Sequence, residues 1–274
     1  MDAHPPAEKE KRLFKALEKY SSLMVAFSGG VDSAYLLYAA RRVMGGRVIA
    51  ITAVSDIHPE RETAAAEEFC RQMGVYHVLV NLELTNLPGF TKNSRDRCYV
   101  CKRHLFAAFW DEAKKKAVQY IAHGANLDDD KDFRPGLRAA RQLGVDAPLA
   151  DAGLAKRDIR DLSRHAGLST WDKPASGCLA TRIPYGTEIR YEELKRVEKG
   201  EQILVDAGFT ESRVRFYGSL AKIEVSQADI NRLVRPEHRI HIVHRFREIG
   251  FLYVAVDLEA YQSGRLNRSI QEEE

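Results

Sequence analysis

The sequence predicts an α/β domain built on a parallel sheet, followed by a smaller α+β domain. Three observations carry this prediction. Apolar runs of strand length at 23–27, 47–54, 76–80 and 120–124 alternate with stretches whose apolar residues recur at helical spacing. Pro and Gly punctuation gathers in 171–186, and beyond it the rhythm changes to a helix, paired strands and further helices. At 274 residues the chain is also long for a single core. The expected division is a first domain over 1–170, a connector over 171–186 and a second domain over 187–274.

The elements follow in order. Residues 23–27 read as a buried strand, Ser28, Gly29 and Gly30 as a turn without bulky side chains, and 32–44 as a helix with Leu36, Leu37, Ala40 and Val43 on one face. Gly45 and Gly46 end that helix before the strand at 47–54, which completes a βαβ unit. A helix over 59–73 leads to the strand at 76–80, and one over 102–117 leads to the strand at 120–124. In an open parallel sheet, ligands sit at the carboxyl ends of the strands, here the loops at 28–33, 53–58 and 124–135. After a helix over 156–166, the connector reads as a long ordered loop. The second domain is expected to hold a helix over 191–207, strands within 213–225, helices over 227–234 and 236–249, and a strand at 253–258.

The turn after the first strand carries the most chemistry. Gly29 and Gly30 let the main chain approach a phosphate oxygen, and the helix start behind them adds its dipole and orphan N–H groups. Ser28 and Ser33 bring hydroxyls, and Asp32 can help hold a magnesium ion. The turn lacks the Lys of a Walker A loop, so it is not built to grip a γ-phosphate for transfer. The run Ala-Phe-Ser-Gly-Gly-Val-Asp-Ser at 26–33 resembles the SGGxDS loop of the PP-loop ATP pyrophosphatases. That resemblance implies an adenine nucleotide α-hydrolase-like domain whose loop holds the departing pyrophosphate while a substrate oxygen attacks the α-phosphate. ATP is then expected on Ala26, Ser28, Gly29, Gly30, Asp32, Ser33, Thr52, Gly124 and Asn126, with Asp32 and Ser33 catalytic. Lys102, Arg134 and Arg182 are candidates to neutralise charge at the α-phosphate.

Four cysteines are too few and too unevenly placed for a disulfide scaffold. Cys98 and Cys101 form a Cys-x-x-Cys pair read as a polar loop opening onto a helix, and their spacing suits a zinc half-site, an iron–sulfur half-site or a redox dithiol. Cys178, in the connector, supplies a third thiol. Three thiolates can hold three irons of a [4Fe–4S] cluster and leave the fourth open; unrelated free thiols are the bland alternative. Cys70, beside Phe69 and Met73, reads as a small buried hydrophobe.

Several further segments are similar to one family along nearly the whole chain. They are 26–33, Gly-Ala-Asn-Leu-Asp-Asp-Asp at 124–130 with Phe-Arg-Pro-Gly-Leu-Arg-Ala at 133–139, Ala-Ser-Gly-Cys-Leu-Ala-Thr-Arg-Ile-Pro-Tyr-Gly at 175–186, Arg-Val-Arg-Phe-Tyr at 213–217, and Ser-Gly-Arg-Leu-Asn at 263–267. Together they resemble LarE, the ATP-dependent sulfur transferases of nickel-pincer nucleotide cofactor biosynthesis, which matures lactate racemase. The resemblance implies adenylation of the carboxylates of pyridinium-3,5-biscarboxylic acid mononucleotide, followed by sulfur insertion to give thiocarboxylates.

The family has two sulfur strategies. Sacrificial members donate the sulfur of a lone connector cysteine, which aligns with Gly177 here, one position before Cys178. The presence of Cys98, Cys101 and Cys178 is similar instead to the branch in which three cysteines bind a [4Fe–4S] cluster that carries a hydrosulfide, with sulfide or an upstream donor as source. Donation of the Cys178 sulfur itself is the alternative. Arg213 and Arg215 alternate on a strand, share a face, and match family positions for the substrate phosphate. Glu201 and Glu224 match family acidic residues for a metal ion, but the family's next aspartate aligns with Arg232, with Asp229 close by in sequence. The resemblance further implies a homo-oligomer, with a hexamer as one expectation.

Composition limits the partners. The net charge of +3 argues against broad binding to nucleic acid and suits small phosphorylated substrates. No apolar run approaches the roughly 20 residues of a membrane span, and the polar start lacks a signal-peptide core, so a cytoplasmic location is expected. His238, His241 and His244 recur every three residues, which spreads them around a helix and favours an exposed stripe over a metal site. Two other readings stand beside the sulfur transferase. PP-loop tRNA thiolases use a comparable cysteine trio, though no RNA-binding appendage is evident, and an ATP-binding regulatory module would leave that trio unexplained.

Overall fold

The computed structural model describes residues 5–131, 135–174 and 177–262. It divides into two compact units, one formed within 1–84 and 96–176, the other within 85–95 and 177–274.

The first unit opens with helix α1 (Pro6–Leu17), which the sequence reading passed over. Its charged residues conceal Leu13 and Leu17, which face inward, and Pro6 occupies the first turn, where a missing N–H costs nothing. Strand β1 (Leu23–Ala26) leads through the glycine turn into α2 (Val31–Met44). Then come β2 (Val48–Ser55), α3 (Glu60–Gln72) and β3 (Tyr76–Leu82). The short α4 (Pro88–Thr91) lies in the segment that joins the second unit. Back in the first unit are α5 (Arg97–Lys115), β4 (Tyr120–His123), α6 (Pro135–Gln142), α7 (Pro148–Asp151) and α8 (Lys156–His165). The four strands form one sheet in the order β3-β2-β1-β4, all parallel.

Alternation along β1 supplies two cores. Leu23 and Val25 join Leu13, Leu17, Tyr35, Leu36 and Ile159 under α1, α2 and α8, while Met24 joins Ile51, Phe106, Phe109 and Ile121 under α5. Helices therefore cover both faces, as the alternating pattern predicts. The chain leaves β1 toward β2 on one side and returns to β4 on the other. The crevice above the carboxyl ends of β1 and β4 is the topological switch point where such sheets bind ligands.

One helix boundary differs in a way that matters. The helix expected over 102–117 begins at Arg97, so Cys98 and Cys101 lie in its first turns and not in a preceding loop. Residues 97–102 contain neither Gly nor Pro, so polarity alone suggested a loop there and nothing in the chain prevents a helix.

The second unit contains α9 (Tyr191–Asp206), β5 (Ser212–Tyr217), β6 (Leu220–Val225), α10 (Ile230–Leu233), α11 (Pro236–Glu248) and β7 (Tyr253–Val256). Its sheet runs β5-β6-β7, antiparallel and then parallel. A 3-10 turn, Leu179–Arg182, sits inside the expected connector loop. Asn93 clamps the chain that follows this turn: its side-chain amide donates to the carbonyls of Pro184 and Thr187 at 2.7 and 2.8 Å.

Candidate active site

In the first unit, the residues expected to bind ATP gather at the carboxyl ends of β1, β2 and β4. Gly29 has φ +71°, the left-handed region that favours glycine, and this turns the chain out of β1. The Ser33 hydroxyl folds back over the turn, accepting from the Ser28 N–H at 3.2 Å and lying 3.1 Å from both the Ser28 hydroxyl and the Gly30 carbonyl. Thr52 donates to the Phe27 carbonyl at 2.7 Å and lies 2.8 Å from His77 Nε2, which fixes β2 against the loop. Gly124 follows β4 so closely that a Cβ there would sit 2.8 Å from the Ser33 backbone nitrogen. Asn126 Oδ1 accepts the Asp128 N–H at 2.9 Å, and Asp129 accepts the Asn126 N–H at 3.0 Å, so the loop after β4 is self-bracing.

Asp32 opens α2. Its Oδ2 pairs with the Lys156 ammonium, while its Oδ1 is buried and has no hydrogen-bond partner among the described residues. Burial raises the Asp32 pKa, and Lys156 opposes that rise. A buried carboxylate oxygen left open beside a glycine turn at a helix start suits a hard divalent cation, so Asp32 fits Mg²⁺.

Two lysines at this loop were missed in the sequence. Lys156 is the first residue of α8, and Lys173 donates to the Gly29 carbonyl at 3.0 Å and to Glu62 at 2.7 Å. A signal for Lys156 existed, because a cation at a helix N-terminus opposes the macrodipole and so breaks a local rule. Arg160 secures the chain around Lys173 by donating to the carbonyls of Trp171 and Lys173 at 2.8 and 2.9 Å.

Lys102 lies on α5 with its ammonium 5.5 Å from the centre of the Phe106 ring. Burial first, and this ammonium second, lower His58 and His123 to about 4, so both rings are neutral. Arg134 lies outside the described residues.

The cysteines divide between the units. Cys98 and Cys101 are three residues apart on α5, one helical turn, so both sulfurs face the same side. Cys101 is buried and Cys98 half-buried; Cys178 is half-buried in the second unit, just before the 3-10 turn. The soft donor set suits an iron–sulfur cluster, with two thiols presented by one turn. Among the described residues, no group of three or more His, Cys, Asp or Glu side chains is arranged to hold a metal ion. Cys70 is buried among apolar side chains, and burial pushes its thiol up to about 12, in keeping with an inert core residue.

In the second unit, Arg213 and Arg215 share one face of β5, as the alternation predicts. Arg213 lies over the Tyr261 ring at 4.6 Å; burial, then its neighbour Arg182, lowers its pKa. Arg215 forms a two-pronged pair with Glu224 at 3.0 and 2.8 Å. Arg182, expected at the α-phosphate, pairs with Glu201 at 2.7 and 3.1 Å inside this unit. His244, exposed on α11, lies 3.5 Å from Glu248. His238 and His241 line a cavity of about 320 Å³ with Asp206, Glu237 and Arg245.

Comparison with known proteins agrees with this architecture. Residues 22–104, from just before β1 into α5, match the family described as queuosine biosynthesis protein QueC. An uncharacterized protein of Synechocystis is 40% identical over 89% of this chain and 91% of its own. An uncharacterized protein of Methanocaldococcus jannaschii is 29% identical over 93% of this chain and 96% of its own. Pyridinium-3,5-bisthiocarboxylic acid mononucleotide synthase of Lactiplantibacillus plantarum is 31% identical over 96% of this chain and 95% of its own. With a glycine turn at the switch point of a parallel sheet and that similarity along almost the entire length, the chain belongs to the LarE family of ATP-dependent sulfurtransferases in the PP-loop superfamily.

Proposed function

We propose that this protein adenylates the carboxylates of pyridinium-3,5-biscarboxylic acid mononucleotide in the cytoplasm and replaces each adenylate with sulfur, giving the bis-thiocarboxylate. The observation that carries the reading is the loop between β1 and α2, with a buried Asp32 Oδ1 that has no hydrogen-bond partner among the described residues. Backbone N–H groups at Gly29 and Gly30 receive the pyrophosphate, and the start of α2 adds its dipole. A substrate carboxylate oxygen attacks the α-phosphorus, the bond to the pyrophosphate oxygen breaks, and an acyl-adenylate forms. Lys156 and Lys173, which reach this loop from outside it, place positive charge where negative charge accumulates on the leaving group. Mg²⁺ held by Asp32 would add charge neutralisation at the same phosphates.

Sulfur then attacks the acyl carbon, and AMP leaves. A [4Fe–4S] cluster on Cys98, Cys101 and Cys178 would supply a soft, anionic sulfur nucleophile for this step. In the second unit, Arg213 and Arg215 orient the mononucleotide phosphate through their guanidinium N–H groups. The product charge and size are those of a small nucleotide, and among the described residues no helix is long and apolar enough to cross a membrane.

The test is a turnover measurement. Protein purified without oxygen is given ATP, the pyridinium biscarboxylate and excess sulfide, and pyrophosphate and thiolated product are followed together. Product exceeding one sulfur per chain supports a catalytic relay through the three cysteines. A single turnover with a dehydroalanine-sized mass loss at Cys178 would replace that relay with sacrificial donation. Pyrophosphate release that ignores the pyridinium compound would remove it as the substrate.

A further inference from the structure

In the LarE resemblance, Glu201 and Glu224 correspond to metal-binding carboxylates, but the charges around them do not suit a cation. Glu201 is 1% exposed and accepts three bonds: from Arg182 Nε at 2.7 Å, Arg182 Nη2 at 3.1 Å and the Val214 N–H at 3.2 Å. Glu224, also 1% exposed, is gripped by Arg215 through Nε and Nη2, with the Lys222 ammonium 3.3 Å away. The position of the family's next aspartate is Arg232, whose guanidinium donates to the Gly208 carbonyl at 2.7 Å and pairs with Asp229 at 3.0 Å. A metal ion arriving here would have to displace guanidinium groups from both carboxylates and leave buried positive charges uncompensated.

The same two arginines lead to a different role. Arg182 Nη1 donates to the carbonyls of Gly177 at 2.9 Å and Cys178 at 3.1 Å, and lies 2.7 Å from the Thr181 hydroxyl. Arg215 Nη1 donates to the Thr181 carbonyl at 2.7 Å. The Cys178 carbonyl also accepts the Thr181 N–H at 3.0 Å and its hydroxyl at 2.7 Å. Gly177 permits this close fit, since a Cβ there would lie 3.3 Å from Arg182 Nη1. The turn carrying Cys178 thus rests on two guanidinium planes, and each plane is fixed from behind by one glutamate.

We propose that Glu201 and Glu224 of this chain are positioning residues: they lock Arg182 and Arg215 beneath the Cys178 turn and do not ligate a metal ion. An ionised carboxylate can hold a guanidinium in one plane through two parallel bonds, and the unused nitrogen then points at a backbone carbonyl with little freedom to move. The proposal rests on reading Cys178 as the sulfur-handling position, but its test does not depend on sulfur chemistry.

The experiment compares the full-length protein with its Glu201→Gln and Glu224→Gln variants in two measurements. Amide hydrogen exchange over 177–183 should accelerate by about tenfold in each variant, the loss expected for a charge-assisted hydrogen bond, with exchange in β1 unchanged as the control for folding. Mn²⁺ titration without nucleotide, followed by electron paramagnetic resonance, should give the same binding curve for all three proteins. A Mn²⁺ site present in the wild type and absent from both variants would overturn the proposal, and so would unchanged exchange at 177–183. If a glutamine variant fails to fold, Arg215→Lys decides. It keeps a cation for Glu224 but loses the two-pronged grip and the Nη1 bond to the Thr181 carbonyl, so exchange at the turn should rise by about threefold or more, and wild-type exchange there would refute the brace.

Discussion

Gly124→Ala is the sharpest test of how the loop between β1 and α2 is built. The added Cβ would meet the Ser33 nitrogen at 2.8 Å, the Ser33 Cα at 3.0 Å and the Asp32 carbonyl carbon at 3.1 Å. Ordinary contacts between such atoms lie at about 3.5–4.0 Å, so the start of α2 must retreat from the end of β4 by roughly 0.5 Å or more. No flexible side chain can yield, because all three atoms are backbone. Overpacking of this kind costs about 1–3 kcal/mol of stability. The functional loss should exceed that implied by stability alone, because the displaced residues are Asp32 and Ser33, and misplacement on the scale of an ångström costs about 100-fold in rate. The assays are urea unfolding for stability and substrate-dependent pyrophosphate release for adenylation. A variant with wild-type stability and a wild-type rate of pyrophosphate release would refute the reasoning that the end of β4 sets the position of the loop.

Three further predictions concern charge and sulfur. Asp32→Asn should fold normally, since burial already disfavours the ionised form, and should lower pyrophosphate release by about 100-fold; adenylation at the wild-type rate would exclude Asp32 as a cation ligand. Alanine at Cys98, Cys101 or Cys178 should abolish iron and acid-labile sulfide binding while ATP binding persists, whereas Cys70→Ala should leave iron content unchanged; a full iron complement in Cys101→Ala would end the cluster assignment. His58 and His123 titrate near 4 in the fold and at about 6.5 in the unfolded chain, so the unfolded state takes up more protons in that interval and stability falls as the medium is acidified. Between about pH 7 and pH 5 each should cost on the order of 2 kcal/mol in urea unfolding, and glutamine at either position should flatten the slope; identical slopes in wild type and variants would disprove the buried neutral state.

The parts of the site legible in the sequence are those set by local rules. A glycine turn between an apolar strand and a helix needs only neighbouring residues, so 28–33 was read correctly, as was the shared face of Arg213 and Arg215, which follows from the twofold period of a strand. Contacts that depend on chain returning from a distance were not legible. Lys173 reaches Gly29 across 144 residues of sequence, and nothing around Trp171 or Pro174 marks that lysine as a partner of the loop. Gly124 was recognisable as the end of a strand, but its need to be glycine comes from Ser33 on another element. The first turns of α5 were misread for a different reason: a polar helix start without a side-chain cap has the composition of a loop, and only the packing of Leu105, Phe106 and Phe109 establishes the helix.

The buried carboxylates of the two units have different surroundings, and this bears on their roles. In the first unit the Lys156 ammonium occupies only Oδ2 of Asp32, and the buried Oδ1 has no hydrogen-bond partner among the described residues, which leaves it open to a cation. In the second unit Arg182 and Arg215 act on Arg213 as like charges, and Glu201 and Glu224 pair with Arg182 and Arg215 and offset that repulsion. There the carboxylates are satisfied by the protein itself. In the proposed roles the same residue type is a cation ligand in one unit and a counter-ion in the other, and the difference lies in how fully the protein's own donors occupy the carboxylate oxygens. A motif match alone transfers the carboxylate; the charges packed around it decide its role.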